Sequence, residues 1–204
     1  MAENRLKRDD TAGRILDVAE RLLQVRGFNG FSYADVAAEL KITKASLHYH
    51  FPSKAELGEA LIERYATRFA TALAEIDTSP ADAPSKLDSY ARLYADVLRR
   101  KRMCLCGMLA AEYRTLPKPM RDTVIRFFDE NESWLERVLV QGQEEGTLEF
   151  TGSPSEAARM IVSALEGAML VSRPYGDIAR FQATAERLFA SLASRSQTEL
   201  TPSP

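Results

Sequence analysis

A short segment near the end of the first quarter of the chain is rich in side chains that carry charge or form hydrogen bonds. It contains Lys44, Ser46, His48, Tyr49 and His50. Lysine supplies a positive charge, and the other side chains supply donors and acceptors that suit phosphate oxygens and base edges. Two histidines are also common metal ligands, but positions two apart lie on different faces of a helix. The segment therefore points to nucleic-acid recognition, and no bound metal is expected.

A pair of cysteines, Cys104 and Cys106, follows the basic run Arg99–Arg102. A thiol at the start of a helix and close to cations reacts readily with oxidants and electrophiles, so a redox sensor is one interpretation. The alternative is that both are small buried hydrophobic residues. Two cysteines this close do not form a disulfide framework, and no further ligands complete a zinc site.

Signatures of common catalytic and cofactor sites are absent from the sequence. There is no nucleophile elbow, no phosphate-binding glycine loop and no H-E-x-x-H metal motif. The only two histidines lie in the polar segment described above. We therefore expect neither an enzyme nor a bound cofactor.

The composition is that of an ordinary globular protein. Of 204 residues, 45% are hydrophobic and 27% are charged, and the formal net charge is −2. Residues 1–54 carry nine basic and seven acidic side chains, a net charge of +2, which leaves −4 for the rest. This balance excludes a uniformly basic protein but permits a local basic face. The charged N-terminus precedes no apolar stretch, and no apolar run approaches the roughly 18 residues of a membrane span, so a cytoplasmic protein that binds no membrane is expected.

Apolar residues recur with helical spacing along most of the chain, and no segment alternates with period two for long enough to indicate a sheet. We therefore predict an all-α fold of about nine helices. These helices are expected over residues 11–26, 33–40, 44–50, 54–76, 84–100, 104–114, 119–145, 154–172 and 177–193.

The second and third predicted helices are short and are joined by a tight turn at Lys41–Ile42. Ser32 and Asp35 form a capping box at the start of the second helix, and Thr43 caps the third. Leu47 is the natural inward anchor of the third helix, whose other residues are free to project. Two short helices in this arrangement, with a longer helix before them, define a helix-turn-helix motif.

The stretch Ile15–Leu61, ILDVAERLLQVRGFNGFSYADVAAELKITKASLHYHFPSKAELGEAL, resembles the DNA-binding domain of the tetracycline-repressor (TetR) family of bacterial transcription regulators. The most specific parts are LHYHF and the PSKAEL that follows it. The resemblance implies a homodimer that places two recognition helices in successive major grooves of a pseudo-palindromic operator, and repression that a small molecule relieves. It divides the chain into a helix-turn-helix domain over residues 1–53, an effector-binding and dimerisation domain over 54–195, and a flexible tail over 196–204.

By position in the motif, the resemblance also assigns the DNA contacts. The residues expected to face base edges are Lys44, Ala45, Ser46 and His48. Those expected to hold phosphates are Tyr33, Thr43, Tyr49, His50 and Lys54, with Ser32 at the same helix end. Many family members carry glycine or proline where Ala45 stands and tyrosine where His48 stands, so the operator sequence does not follow from these residues.

An effector pocket is predicted where polar residues interrupt apolar helix faces, as Asn131 and Glu112 do. A buried polar group needs a partner, which is either another protein group or a ligand, and both alternatives stay open. The complete predicted set is Tyr65, Phe69, Tyr90, Tyr94, Met103, Met108, Glu112, Phe127, Phe128, Asn131, Trp134 and Met169. These residue types favour a small, mostly apolar or aromatic effector, although each of the apolar residues is also an ordinary core residue.

The last two helices are predicted to form the dimer interface, because the eighth is apolar nearly all round and needs contacts on two sides. The residues assigned to it are Ile161, Leu165, Ala168, Phe181, Ala185, Leu188, Phe189 and Leu192. Two alternative functions remain open. One is a repressor that senses oxidants or electrophiles through Cys104 or Cys106, and the other is a DNA-organising protein without effector control.

Overall fold

The computed structural model describes residues 2–194, with side chains from Asp10 onward. Within this range nine helices follow one another: α1 (Ala2–Arg26), α2 (Tyr33–Leu40), α3 (Lys44–His50), α4 (Lys54–Thr78), α5 (Ala83–Arg99), α6 (Leu105–Ala111), α7 (Lys118–Glu144), α8 (Pro154–Ser172) and α9 (Ile178–Ala190). Two 3-10 turns, Tyr113–Thr115 and Arg173–Tyr175, follow α6 and α8. The all-α prediction is confirmed. The predicted tail over residues 196–204 lies outside the described residues.

Two of the differences between the predicted and the observed helix ends have a clear local cause. α1 begins at Ala2 rather than near residue 11, since residues 2–10 include neither glycine nor proline and nothing there stops a helix. α6 ends at Ala111 rather than near residue 114, because Glu112 leaves helical geometry and the next residues form a tighter 3-10 turn.

The chain forms two compact units. Among the described residues, the first unit holds those up to Thr71 together with Arg100–Phe128, and the second holds Ala72–Arg99 together with those from Asp129 onward. This division differs from the predicted boundary between residues 53 and 54. The start of α4 and the whole of α6 belong with α1–α3, because α6 packs on α1 and the first part of α4 buries its apolar residues in the same core.

The first unit is held together by an apolar core and by ion pairs between α1 and α4. Fully buried side chains from four helices form the core: Ile15, Leu23, Val36, Leu47, Leu57, Leu61 and Ile62. At its edge, Arg64 donates to Asp17 at 2.9 Å and to Glu20 at 2.8 Å, and Arg68 also pairs with Glu20. Because Glu20 is 8% exposed, its pairing with two arginines fixes α4 against α1.

The second unit is built on α5, α8 and α9, each of which packs against the other two. Its core includes Leu87, Tyr90, Ile161, Leu165, Met169 and Phe181. The connection from α7 to α8 is joined to the end of α9 by backbone hydrogen bonds, from Glu149 N–H to the Leu192 carbonyl at 2.8 Å and from Ser194 N–H to the Thr147 carbonyl at 3.1 Å.

Two negative findings apply to the described part of the chain. None of its helices combines the length and apolar character that crossing a membrane requires. In the same residues, no three or more His, Cys, Asp or Glu side chains converge on a candidate metal site.

Candidate nucleic-acid interface

α2 begins at the predicted capping box. The Asp35 N–H donates to Ser32 Oγ at 3.4 Å, and the Ser32 N–H donates to Asp35 Oδ2 at 2.7 Å. The Ser32 hydroxyl also donates to that carboxylate at 2.6 Å, and these bonds from Ser32 hold the pKa of Asp35 below its usual value. The side chain of Ser32 is therefore occupied in starting the helix, although it lies at the surface.

α2 ends in the tight turn that leads to α3. Lys41 adopts left-handed backbone geometry with φ 55°, and the Ile42 N–H donates to the Ala37 carbonyl at 3.0 Å. Glycine is the usual residue at this position, because a side chain with φ in this range is disfavoured by roughly 1–2 kcal/mol. The turn that leads to the recognition helix therefore contains a lysine whose backbone angle φ is strained.

Replacing Lys41 by glycine is expected to raise the free energy of unfolding by up to about 1 kcal/mol, because the strain at positive φ disappears. The same change at Lys101, which also has φ 55°, is expected to stabilise the protein for the same reason. Lys44→Gly is the matched control, since α3 has ordinary helical geometry and glycine there is destabilising. Thermal unfolding of the DNA-free protein measures all three. A lower melting temperature for Lys41→Gly would show that the lysine makes a compensating contact.

α3 has one inward-facing residue and an exposed outer surface. Leu47 is completely buried, whereas Lys44, Ala45, His48 and Tyr49 are exposed and Ser46 and His50 are half-buried. Thr43 Oγ1 accepts the Ser46 N–H at 3.1 Å, and the Phe51 N–H donates to the Leu47 carbonyl at 2.9 Å, so both helix ends are closed. The helix thus presents the predicted base-facing residues on its outer side.

Tyr33 lies behind this surface rather than on it. Its side chain is buried, and its hydroxyl donates to the Phe51 carbonyl at 2.8 Å. Burial, assisted by the negative charge of Glu56, raises the pKa of Tyr33 to about 12. The predicted phosphate contact is therefore corrected, because the one hydroxyl proton already holds the end of α3.

His48 is oriented by contacts on two sides. Its Nδ1 lies 3.0 Å from the Pro52 carbonyl, which only accepts hydrogen bonds, so Nδ1 carries a proton. The ring also packs on Tyr33, with 4.7 Å between ring centroids. Nε2 is thus the nitrogen left for an outside partner at a base edge.

Lys54 does not occupy the phosphate-clamping position that the sequence predicted. Its Nζ donates to the backbone carbonyls of Phe28 and Phe31 and lies 4.6 Å and 4.5 Å from the centroids of their rings. Burial lowers the pKa of Lys54, and the charges of Glu112 and Asp35 oppose that shift. From the sequence alone, this lysine is expected to bind a phosphate. In the structure, carbonyl oxygens of its own chain accept the hydrogen bonds of its ammonium group instead.

Replacing Lys54 by methionine is therefore expected to lower the melting temperature and to leave the salt dependence of DNA binding unchanged. Two carbonyls lose their donor, but no phosphate loses a contact. Lys44→Ala is the comparison, because the removal of an exposed lysine that binds DNA flattens the plot of log affinity against log salt concentration by about one unit. Fluorescence anisotropy at several salt concentrations tests both variants. A flatter slope for Lys54→Met would restore the phosphate role.

The predicted effector residues are divided between the two units. In the first unit, Tyr65, Phe69 and Phe127 form one aromatic cluster with centroid separations of 5.3–6.2 Å, and Phe128 lies 5.5 Å from Phe127. Met103 is buried and Met108 is half-buried in the same unit. The four rings pack on one another, with Tyr65 and Phe127 buried and Phe69 and Phe128 half-buried.

Glu112 is not the polar handle for an effector that its sequence position predicted. Its carboxylate accepts the Phe28 N–H at 2.6 Å and the Asn29 N–H at 3.3 Å, in the turn between α1 and α2. Main-chain N–H groups of its own unit thus bind the carboxylate, in place of the effector that the sequence suggested.

The remaining predicted effector residues form a buried network in the second unit. Tyr90 donates to Asn131 Oδ1 at 3.2 Å, lies 3.1 Å from the Tyr94 hydroxyl, and stacks on Trp134 at 5.5 Å. The Trp134 indole N–H donates to Asp77 at 3.0 Å, and Met169 is completely buried in the same unit. Asn131 thus has a protein partner, which is the first of the two alternatives that the sequence left open.

Both cysteines are buried. Cys104 is 1% exposed and caps α6, its Sγ accepting the Gly107 N–H at 3.4 Å and the Tyr65 hydroxyl at 3.6 Å. Cys106 has no exposed surface. This placement favours the interpretation of both as small core residues.

Most of the predicted dimerisation residues point into their own chain. Ile161, Leu165, Phe181, Ala185, Phe189 and Leu192 are buried where α8, α9 and α5 pack together, and Ala168 and Leu188 are half-buried. The assignment of the six buried residues is therefore corrected, because the single chain already covers them. The opposite side of α8 carries large exposed apolar residues, with Met160 44%, Leu170 58% and Val171 57% exposed.

We call this surface the outer face of α8 and define it by Met160, Ala164, Gly167, Leu170 and Val171. None of the five is among the residues that the sequence analysis assigned to the interface, although the small residues Ala164 and Gly167 allow two helices to approach closely. The available signal was Gly167, a glycine in the middle of a helix that no turn or positive φ requires.

A short helix held by a single buried leucine and presented by a second short helix through a tight turn is the geometry of a helix-turn-helix DNA-binding protein. A family model described as "Bacterial regulatory proteins, tetR family" matches residues 15–61, and one described as "Tetracyclin repressor-like, C-terminal domain" matches residues 83–188. The chain therefore belongs to the TetR family, and it is a ligand-responsive transcription regulator rather than an enzyme.

Solved structures and a characterised repressor resemble the chain over most of its length. A TetR-family regulator from Agrobacterium tumefaciens is 31% identical with a TM-score of 0.89, and the match covers 92% of this chain and 100% of that one. A TetR regulator from Legionella pneumophila is 32% identical with a TM-score of 0.80, over 88% and 95% of the two chains. The repressor NemR of Escherichia coli K12 is 25% identical over 200 residues, which cover 93% of this chain and 99% of NemR.

Proposed function

We propose that the protein is a homodimeric repressor that binds a pseudo-palindromic operator and is released by a small, mostly apolar or aromatic effector. The observation that carries this proposal is α3, whose single buried residue anchors a helix with an exposed polar and basic outer side. In this proposal Lys44, Ala45, Ser46 and His48 face base edges, and Thr43, Tyr49 and His50 contact phosphates. Tyr33 holds the end of α3, and Lys54 holds the turn between α1 and α2.

The dimer of this proposal pairs the outer face of α8 with the same face of a second copy. Exposed leucine, valine and methionine side chains on one helix give α8 an apolar surface, which a second copy would cover. Two-fold symmetry of the protein then requires a two-fold symmetric operator, with half-sites whose centres lie about 34–36 Å apart.

Release by an effector is proposed to be a population shift. α4 contributes residues to both units, since Thr71 is the last residue of α4 in the first unit and α4 continues to Thr78. A ligand that binds better to a state with wider spacing of the recognition helices lowers operator affinity by its preference for that state.

Selection of bound sequences from random DNA tests the proposal. The expected result is an enriched motif with two inverted halves, and the affinity for it should fall when an effector from a panel of metabolites and xenobiotics is added. Binding without sequence preference would instead favour a DNA-organising protein. An enriched motif without two-fold symmetry would contradict the homodimer.

A redox-sensing repressor is the second candidate, supported by the two hydrogen bonds that Cys104 Sγ accepts from the Gly107 N–H and the Tyr65 hydroxyl. Such donors stabilise a thiolate. The test is operator release on treatment with a quinone or hydrogen peroxide, in the wild type and in Cys104→Ser and Cys106→Ser. Retention of the operator by the treated wild type would exclude this candidate.

A further inference from the structure

We infer that Glu112 is a positioning residue for DNA binding, which ties α6 to the turn between α1 and α2 and thereby sets the pose of the helix-turn-helix. The inference rests on the proposed operator binding. Glu112 lies outside the recognition helix, and no DNA contact is assigned to it.

The turn between α1 and α2, residues 27–31, donates hydrogen bonds to the residues that follow α6. Glu112 Oε2 accepts the Phe28 N–H at 2.6 Å and the Asn29 N–H at 3.3 Å, and Oε1 lies 3.4 Å from the Asn29 nitrogen. The Asn29 side-chain amide donates to Thr115 Oγ1 at 2.8 Å, and the Thr115 hydroxyl donates to the Glu112 carbonyl at 2.8 Å. A charged acceptor on two consecutive amides is stronger than neutral bonds of the same geometry.

Lys54 of α4 binds the same turn from its carbonyl side. Its ammonium donates to the Phe28 and Phe31 carbonyls, so the N–H of Phe28 meets a carboxylate while its C=O meets a cation. The charge of Glu112 also acts on Lys54 directly, favouring its protonated form. The turn is thus held between an anion from the end of α6 and a cation from the start of α4.

Gly27 shows that the approach of the carboxylate is built into the chain. Its φ is +85°, and a Cβ at this position would lie 2.6 Å from Glu112 Oε1 and 3.0 Å from Cδ. Any side chain here is strained by its backbone angle and displaces the carboxylate. Glycine at this position therefore allows both the positive φ at which α1 ends and the close contact with Glu112.

These contacts have a functional consequence. The turn connects α1 to α2, and α2 presents α3 to the outside, so the orientation of α3 depends on the turn. If the Glu112 carboxylate moves away, the turn loses two hydrogen bonds from its main-chain N–H groups, and Lys54 loses the negative charge that faces it. A change at α6 therefore reaches the recognition helix through Glu112.

Glu112→Gln is the main test, with Glu63→Gln as the matched control. Glu63 is an exposed carboxylate on α4 in the same unit, so both variants lose one negative charge. Charge alone predicts slightly tighter DNA binding for both. We expect instead that Glu112→Gln weakens operator binding about tenfold, because a carboxamide offers one acceptor oxygen and no charge to two amides. Glu63→Gln should not weaken it.

Amide hydrogen exchange by NMR separates positioning from general loss of stability. In Glu112→Gln the Phe28 and Asn29 amides should exchange at least about tenfold faster, while amides in α8 and α9 keep their wild-type rates. A double-mutant cycle with Gly27→Ala adds a second check. Because Gly27→Ala already displaces the carboxylate, Glu112→Ala in that background should lower operator affinity little further.

Three outcomes decide the matter. Wild-type operator affinity in Glu112→Gln, or additive effects in the double-mutant cycle, would overturn the inference while leaving the proposed function intact. A wild-type protein that binds no selected operator would overturn the proposed function instead. In that case the exchange rates of the Phe28 and Asn29 amides still report whether Glu112 holds the turn.

Discussion

Replacing Gly167 by arginine is expected to abolish dimer formation and to weaken operator binding by about 100-fold or more, while the single chain stays folded. Gly167 lies at the centre of the outer face of α8, and a Cβ there would meet no atom of its own chain within 4 Å. The substitution therefore removes nothing from the core. An arginine in a symmetric interface places two charged side chains near the two-fold axis, where apolar surface is being buried.

The glycine itself is the strongest argument for this surface. Glycine in a helix interior is destabilising by about 1 kcal/mol relative to alanine, and neither a positive φ nor a neighbouring atom of the same chain requires it here. In the proposed dimer, the close approach of a second helix backbone would explain its presence. The exposed side chains of Met160, two turns before the glycine, and Val171, one turn after it, lie on the same side of α8 and would supply the apolar contacts around the glycine.

Light scattering and operator titration measure the two effects, with Ser133→Arg as the control. Ser133 is an exposed residue of α7 in the same unit, so the added charge and side chain are the same. Gly167→Ala should fall between wild type and Gly167→Arg in dimer affinity, and its monomer should be the more stable because alanine favours the helix. A dimer that survives Gly167→Arg would place the interface on another surface.

The error about the dimer residues shows what a helical pattern leaves open. α8 is apolar nearly all round, so its sequence predicts contacts on two sides but does not say which side meets the chain's own core. Packing against α5 and α9 decides that question, and it buries Ile161 and Leu165. Only the contacts of the folded unit separate those residues from Met160 and Val171.

Local signals were more reliable than long-range ones. The caps at Ser32 and Thr43 are as predicted, because each depends on residues within one helical turn. The roles of Lys54 and Glu112 depend on backbone groups 23–84 positions away. The sequence does not distinguish a lysine that binds a phosphate from a lysine that binds a carbonyl of its own chain, since both partners are oxygen atoms.

The second prediction with a large effect concerns Leu47. Replacing it by alanine is expected to destabilise the first unit by about 2–5 kcal/mol and to abolish specific operator binding. Leu47 is fully buried and is the only buried residue of α3. A helix of seven residues is not stable by itself in water, so α3 persists because Leu47 holds it against the core.

Leu87→Ala provides the matched control, because Leu87 is equally buried but belongs to α5 in the second unit. Both substitutions should lower the melting temperature. At a temperature where both variants remain folded by circular dichroism, only Leu47→Ala should lose operator binding and show fast exchange of the α3 amides. Leu47→Met, which nearly conserves volume, should retain most of the affinity. Equal loss of operator binding in Leu47→Ala and Leu87→Ala would mean that α3 is held by the stability of the whole chain rather than by this one anchor.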